Sequence, residues 1–516
     1  MSTVTIAPTT TTTTPDANPR RWVGLAVLCA SLLIVVMDLT ILNVALPEID
    51  AALRPSSVQL LWIVDVYGLA VAGFLVTASG LADRFGRRRM LLVGYAAFGT
   101  VPLIVLFADS APWLIAARAL LGLGGAFIMP STMSMIRDLF ADPKERAVAL
   151  GLWGSMAAVG AGLGPIIGGI LVQNFSWHAA FLINTPIMVL AIVFALWLLP
   201  ESRGGAVPWD FLGIALSIIG MISLMYAIKT IGKHGITDPT ALLTGTIALV
   251  SLIWFARRCL NRREPLLDLR LLRRRPLSAG LMCALISSVA MAAMMLLLAQ
   301  WMQLVMEYTP IQTGIHLLPV AIVSGVISPL APRIAQSIGT RTVMAGGLAV
   351  GGLGFAILYL GGDHLDYPLV ALSQSLVGVS MATLAIGSAV IVASVPVERT
   401  GNAAAMEETS FELGNALGVA VLGSIAAVVF HNLMAATRLE SLGLTGSAAS
   451  TASDSIGGAL SVASHTGNTA LADHARAAFT ESLGIVGLAG GVLMLLAAVA
   501  VWYLTPRGLT VEGGHH

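Results

Sequence analysis

The sequence predicts an all-α integral membrane protein with 14 transmembrane helices in a 6 + 2 + 6 order and both termini cytoplasmic. Composition is the first observation: 57% of the 516 residues are hydrophobic and 11% are charged, with mean hydropathy +0.87. A soluble domain carries about 25% charged residues. The second is a series of apolar runs, each near the roughly 20 residues that a spanning helix needs. The third is the sidedness of the basic residues between those runs.

In order, the spans fall near 22–46, 58–81, 90–108, 112–136, 147–171 and 178–199, then 210–230 and 239–257. The last six fall near 277–305, 312–335, 341–361, 366–394, 401–430 and 479–504. The chain therefore divides into a disordered cytoplasmic tail at 1–21, a six-helix bundle at 22–199 and a two-helix insert with a basic cytoplasmic loop at 200–276. A second six-helix bundle follows at 277–505, with a long extracellular loop at 431–478, and 506–516 form a cytoplasmic tail.

With the N-terminus inside, 22 basic residues face the cytoplasm and 5 face outward (Arg54, Lys229, Lys233, Arg438 and Arg476), leaving Arg118 within a span. One missed span would invert half of that asymmetry, so the span count and the charge pattern support each other. The Thr- and Pro-rich N-terminus lacks the apolar stretch of a cleaved signal peptide. Within 431–478, rich in Ser, Thr, Ala and Gly, "TALADHARAAF" is expected as a short amphipathic helix; the loop is either a passive surface loop or a lid over an outer vestibule.

A net charge of +1 argues against a nucleic-acid partner. The three cysteines, Cys29, Cys259 and Cys283, suggest neither a disulfide framework nor a metal site. No serine-protease motif, phosphate loop or His-Glu-x-x-His pattern is present, so the sequence offers no support for catalysis, a metal or a cofactor. The expected partners are protons, small cationic molecules and the lipid bilayer, and the expected state is a monomer in the cytoplasmic membrane.

Two bundles joined by a hairpin suggest an internal repeat with a binding site between the halves. "SGLADRFGRRRM" joins spans 2 and 3, and "APRIAQSIGTRT" joins spans 10 and 11; both combine a small residue, arginine and a Gly turn on the inner side. The first, with Gly80, Asp83, Arg84, Gly86 and Arg87, resembles the inner gate loop of the major facilitator superfamily. "GAGLGPIIGG", carrying Gly160, Gly164, Pro165, Gly168 and Gly169, resembles the fifth-span antiporter signature. Its glycines offer a smooth groove for a sliding helix. "MDLTILNVALP", "RALLGLGGA" and "WHAAFLINTP" resemble further signatures of the fourteen-span drug:proton antiporters, with Leu121 where glutamine is usual and His178 where arginine is usual. The resemblance covers nearly the whole chain. It implies a major facilitator fold and export of lipophilic or quaternary ammonium cations in exchange for protons.

Charged residues inside spans carry the rest. A mid-bilayer charge costs about 2.5–3.5 kcal/mol even on lenient scales, so such groups face partners or a watery cavity. From helix rise, Asp38, Asp65 and Arg118 lie roughly 12, 10 and 9 Å from the outside. They share one level, and Arg118 is expected to pair with Asp38 or Asp65. One arginine leaves a surplus carboxylate, which takes a proton or holds a cation. Asp38 is read either as the structural half of that pair or as part of the coupling site, and Asp65 as the coupling acid. Trp62, one turn before Asp65, is either a cation-stacking aromatic or an interfacial anchor. In span 13, Glu407 and Glu408 lie roughly 9–11 Å deep and Glu412 roughly 17 Å deep from the inside. They are expected to line a water-accessible cavity and to bind protons or cations, the alternative for Glu407 and Glu408 being solvated helix-start charges. Tyr67, Phe127, Trp153, Trp301 and Phe411 are candidate aromatic walls, or else packing residues. Met291, Met294 and Met295 suit an adaptable apolar surface.

Two functions stay open on this reading: a multidrug exporter of cations, or a dedicated exporter of one antibiotic or natural product. A binding or sensory membrane protein without turnover is the reading from a different class.

Overall fold

The computed structural model describes residues 20–509, except 56, 141, 204–209, 235–236, 263–264, 363–364, 397–398, 435–443 and 445. The tail expected at 1–21 lies almost wholly outside the described residues, as does most of 506–516. All regular structure among the described residues is helical.

Helices α1 (Arg21–Leu53), α2 (Ser57–Phe85), α3 (Arg87–Val105), α4 (Ala111–Leu139) and α5 (Pro143–Asn174) supply the first five spans. The sixth combines α6 (Trp177–Leu182) and α7 (Asn184–Leu198). The insert consists of α8 (Phe211–His234) and α9 (Pro239–Asn261). Then come α10 (Arg275–Gln300), extended by a π turn over Trp301–Val305, and the trio α11 (Pro310–His316), α12 (Leu318–Ile327) and α13 (Ala331–Ile338). Helices α14 (Thr340–Gly361), α15 (Tyr367–Ala393) and α16 (Thr400–Leu417) follow; a π turn over Gly418–Leu422 carries α16 into α17 (Gly423–Leu433). Two short helices, α18 (Gly446–Asp454) and α19 (Ile456–Thr466), precede the 36-residue α20 (Thr469–Leu504).

Twelve helices are long and apolar enough to cross a membrane singly, and two bent pairs raise the count to as many as 14 among the described residues. One pair, Ile311–Ile327 with Ala331–Ile338, bends by 59°. Pro329 lies within that break and Pro332 in the first turn of the helix that follows, each lacking a backbone donor.

Helix starts follow from local chemistry. Asp238 accepts from the N–H groups of Thr240 and Ala241 ahead of Pro239 at the head of α9. Thr309 and Gln312 form a capping box on α11. The two inner-side turns noted in the repeat share a geometry: Gly86 has φ 115° and Gly339 has φ 91°, each between consecutive spans. Only glycine adopts that region without strain, so each junction is built on the absence of a Cβ.

The outer segment differs from expectation. "TALADHARAAF" is the first part of α20, not a separate helix. The Asn468 side chain accepts from the Leu471 N–H to cap its start, and no proline or unpaired turn residue interrupts the run that follows. The preceding segment folds as α18 and α19, and Ile456, Ala459 and Ala463 are buried; residues 435–443 and 445 lie outside the described part.

Buried apolar side chains form two large cores. One is built mainly from α1–α7 and the other from α10–α20. Between them runs α5, which faces two ways. Its Gly160 lies over the Leu33 carbonyl of α1, where an added Cβ would come within 2.7 Å, and Gly164 abuts Thr40. Toward the second core, Gly162 meets Leu318, Ile166 meets Gly314 and Gly169 meets Ile311. The glycine run therefore lets α5 sit tightly on α1 while presenting a low-relief surface to α11 and α12.

Candidate functional site

Asp38 and Arg118 meet in the outer half of the first core. Arg118 Nη1 donates to Asp38 Oδ2 at 2.7 Å, and the Asn184 amide donates to Oδ1 at 2.7 Å. Arg118 Nε reaches the Ile63 carbonyl at 3.2 Å, and its guanidinium lies 4.7 Å from the centre of the Tyr67 ring. Relative exposures of 0% for Arg118 and 2% for Asp38 exclude water from the pair. Removing either partner would strand a buried charge. Tyr67 is buried beneath the arginine and does not line the central cavity, so its contact is with the ion pair. Asn184 was not singled out from sequence; an asparagine in the apolar "FLINTP" run was the available signal.

Asp65 lies in α2, but its side chain is outside the described residues. Trp62, three residues earlier, stacks on Tyr226 of the insert with ring centroids 5.7 Å apart. It is absent from the cavity wall.

A cavity of about 280 Å³ lies between the two cores. Its wall is mostly apolar, from Leu32, Val36 and Leu39 of α1, Trp153 of α5 and Met291 and Met295 of α10. Met294, by contrast, is packed inside the second core. The carboxyls in the wall come from α16, which presents Glu408, Phe411, Glu412 and Asn415, while Thr40, Ser288, Ser324, Ser328 and Ser388 add hydroxyls from the surrounding helices. Glu408 and Glu412 are four residues apart and share a helix face. Trp301 is not part of this wall; its indole N–H donates to Thr480 at 3.1 Å and ties α10 to α20.

The three glutamates are placed differently. Glu407 turns away from the cavity and accepts a hydrogen bond from Ser388. Its second oxygen and Oε1 of Glu408 are buried, with no hydrogen-bond partner among the described residues. Glu412 is half-buried, and α8, which carries Lys229, packs beside α16. Sequence placed Lys229 among outward loop charges; its position beside α16 depends on how the insert docks, which a hydropathy pattern does not encode. A carboxyl group in an apolar wall without a fixed cation favours binding a proton or a mobile cation, because the bare anion is poorly solvated.

On the cytoplasmic side, Asp83 accepts from Arg87 Nε and Nη2 at 3.2 and 3.0 Å. Arg87 also reaches both oxygens of Asp138, at 3.0 and 3.2 Å. Arg84 lies over the Phe85 ring at 5.9 Å. Gly80, earlier in the same motif, packs against Leu266 of the loop after the insert. This loop touches the second core directly. The Ser79 hydroxyl donates to the Gly401 carbonyl at 2.7 Å, and Gly401 packs against the Asp83 carboxylate without room for a side chain. Arg137 adds bonds to the Val392 and Val395 carbonyls at 2.9 and 3.2 Å. These contacts join the two cores at their cytoplasmic ends, below the cavity.

The description "Major Facilitator Superfamily" matches residues 28–419. "Multidrug efflux pump LfrA" of Mycolicibacterium smegmatis is 36% identical over 97% of this chain and 99% of its own length. "Methyl viologen resistance protein SmvA" of Salmonella typhimurium is 34% identical over 94% of this chain and 98% of its own. Among solved structures, the human organic anion transporter MFSD10 (TETRAN) superposes with a TM-score of 0.57 at 14% identity, covering 92% of this chain and 100% of that one; this likeness concerns the fold alone.

Proposed function

The chain belongs to the major facilitator superfamily, as a multi-pass transporter of the cytoplasmic membrane and not an enzyme, and from that premise we propose that it exports lipophilic cations, quaternary ammonium compounds among them, in exchange for protons. One observation carries the proposal. A largely apolar cavity between the two cores holds the Glu408 and Glu412 carboxyls, and Glu408 Oε1 is buried without a hydrogen-bond partner among the described residues. An apolar wall with an adaptable methionine edge suits a greasy organic body, and a carboxylate suits its positive charge.

The two occupants exclude one another. A cation that enters from the cytoplasm or inner leaflet pairs with the ionised carboxyls. When the cavity opens outward, protons from outside neutralise those groups and the cation loses its counter-charge. The protonated carrier then returns and releases its protons inside. Each proton moving into an interior-negative cell gains about 2.3 kcal/mol per 100 mV. The glycine-lined face of α5 and the cytoplasmic contacts of α2 and α4 are the surfaces on which the two cores rock. Asp38, held by Arg118 and Asn184, acts in this scheme as a fixed structural ion pair.

The test is pH-gradient-driven accumulation of ethidium in proteoliposomes. Wild-type protein transports the dye only when a gradient is imposed, and Glu408→Gln abolishes transport in protein that is otherwise folded. Undiminished gradient-driven transport by a Glu408→Gln, Glu412→Gln double variant would remove the proposal.

A further inference from the structure

Helix α9 stands at the periphery of the molecule. Its main packing partners are α8 and the short 3₁₀ turn Leu269–Arg273. Much of its remaining surface is apolar and open: Leu249, Val250, Ile253 and Trp254 are 61, 58, 45 and 53% exposed. On a spanning helix such a strip meets lipid tails.

At the cytoplasmic end this face changes character. Trp254, Arg257, Arg258, Asn261 and Arg262 line an open cleft of about 430 Å³. Spacings of three and four residues put them in one stripe, so "WFARRCLNR" stacks an indole, three guanidiniums and an amide along one side of the helix. Asp210, just ahead of α8, holds two of the arginines from behind. It is buried, accepts from Arg258 Nε at 2.8 and 3.0 Å, and lies 3.3 Å from Arg262 Nη1. One carboxylate cannot neutralise three guanidiniums. Arg257 is exposed and makes no hydrogen bond or ion pair among the described residues. Arg270 brings a further guanidinium to this end and donates to the Leu260 and Arg262 carbonyls at 2.7 and 2.8 Å. These bonds cap the C-terminus of α9, whose free carbonyls would otherwise repel an anion.

Surplus positive charge therefore sits at the foot of a lipid-facing apolar strip. We propose that this cleft binds the headgroup of an anionic phospholipid of the cytoplasmic leaflet. The phosphate rests between Arg257 and Arg258, the Asn261 amide donates to headgroup oxygens, and the acyl chains run along Val250, Ile253 and Trp254. A guanidinium pair supplies donors that match phosphate oxygens. A soluble phosphate would gain only that charge contact, whereas a lipid also covers the apolar strip leading out of the cleft.

The experiment is native mass spectrometry of the purified protein in neutral detergent, titrated with phosphatidylglycerol or phosphatidylcholine of the same chains. Wild-type protein is expected to favour phosphatidylglycerol by about fivefold or more, the scale of one interfacial arginine. Arg257→Gln, which breaks no contact among the described residues, is expected to weaken phosphatidylglycerol binding about fivefold, and Arg257→Lys to keep it within about twofold. Arg333→Gln serves as the control: Arg333 is an exposed arginine on α13, whose helix packs against α5, α14 and α15. It is expected to leave binding unchanged. Glycerol phosphate, the soluble headgroup, is expected not to bind at the concentrations that load the lipid. Equal binding of the two lipids, an equal loss in Arg333→Gln and Arg257→Gln, or glycerol phosphate held as tightly as the lipid would each overturn the inference.

Discussion

Arg118 Nη1 lies 2.7 Å from Asp38 Oδ2, with both side chains sealed from solvent and the Asn184 amide on the other carboxylate oxygen. The arrangement commits Asp38 to a permanent partner, and in the proposed mechanism the exchange of protons and cations falls to carboxyls elsewhere. Arg118→Ala strands the buried Asp38 charge and is expected to lower stability by about 3–5 kcal/mol. Thermal unfolding of the purified protein in detergent reads this as a large fall in midpoint. Combining Arg118→Ala with Asp38→Asn should recover much of the loss, because the stranded charge is gone. An Arg118→Ala protein as stable as wild type would contradict the pairing.

The contact between Gly164 and Thr40 predicts a second outcome. Gly164→Ala forces α5 away from α1, at a cost of about 1–3 kcal/mol for an overpacked site. Thr40→Ala removes the colliding hydroxyl while keeping the Thr40 Cβ contact, and should restore part of the stability. Parallel measurements of unfolding midpoint in the single and double variants check the rescue; equal losses in both would show that the helices are not held at this point.

Arg137 bonds two carbonyls of α15 and its following turn across the cytoplasmic seam. Arg137→Ala is expected to loosen that seam and expose the cavity to the cytoplasm. A cysteine introduced at Leu384 on the cavity wall, in a background lacking the three native cysteines, reports this through labelling by an impermeant maleimide in inside-out vesicles. Labelling should rise in Arg137→Ala; an unchanged rate would place the closure elsewhere.

Glu407 and Glu408 are sequence neighbours with different surroundings, because Ser388 donates to Glu407 while Glu408 faces the cavity. Glu407→Gln is therefore expected to keep gradient-driven ethidium flux within about tenfold of wild type, the cost of one weakened hydrogen bond to a charged group. Glu408→Gln is expected to lose the flux. The reverse order in the proteoliposome assay would reassign the exchanging carboxyl.

Much of this architecture was legible in the residues themselves. Apolar run length and loop arginines revealed the spans, because the bilayer imposes both. Depth arithmetic brought Asp38 and Arg118 to one level before any coordinates. What depth does not supply is rotation about each helix axis. Asn184 on Asp38 and Ser388 on Glu407 were therefore missed, and the choice left open for Tyr67 and Trp62, between an aromatic wall for substrate and a packing or anchoring role, turns on contacts that depth does not supply: one underlies Arg118 and the other stacks on Tyr226. The place of α8 and its Lys229 beside α16 was missed for a different reason. It depends on where an inserted hairpin docks, and a charge near a span end reads the same whether it faces solvent or a neighbouring helix.

Proton release on cation binding puts the shared-carboxyl mechanism to its sharpest test. Purified protein in weakly buffered detergent solution, carrying a pH indicator dye, is titrated with ethidium. Wild-type protein should release protons as the cation binds, and Glu408→Gln should release markedly fewer. Cation binding with no proton release, or release unchanged in a Glu408→Gln, Glu412→Gln double variant, would mean that the two guests do not compete for these groups.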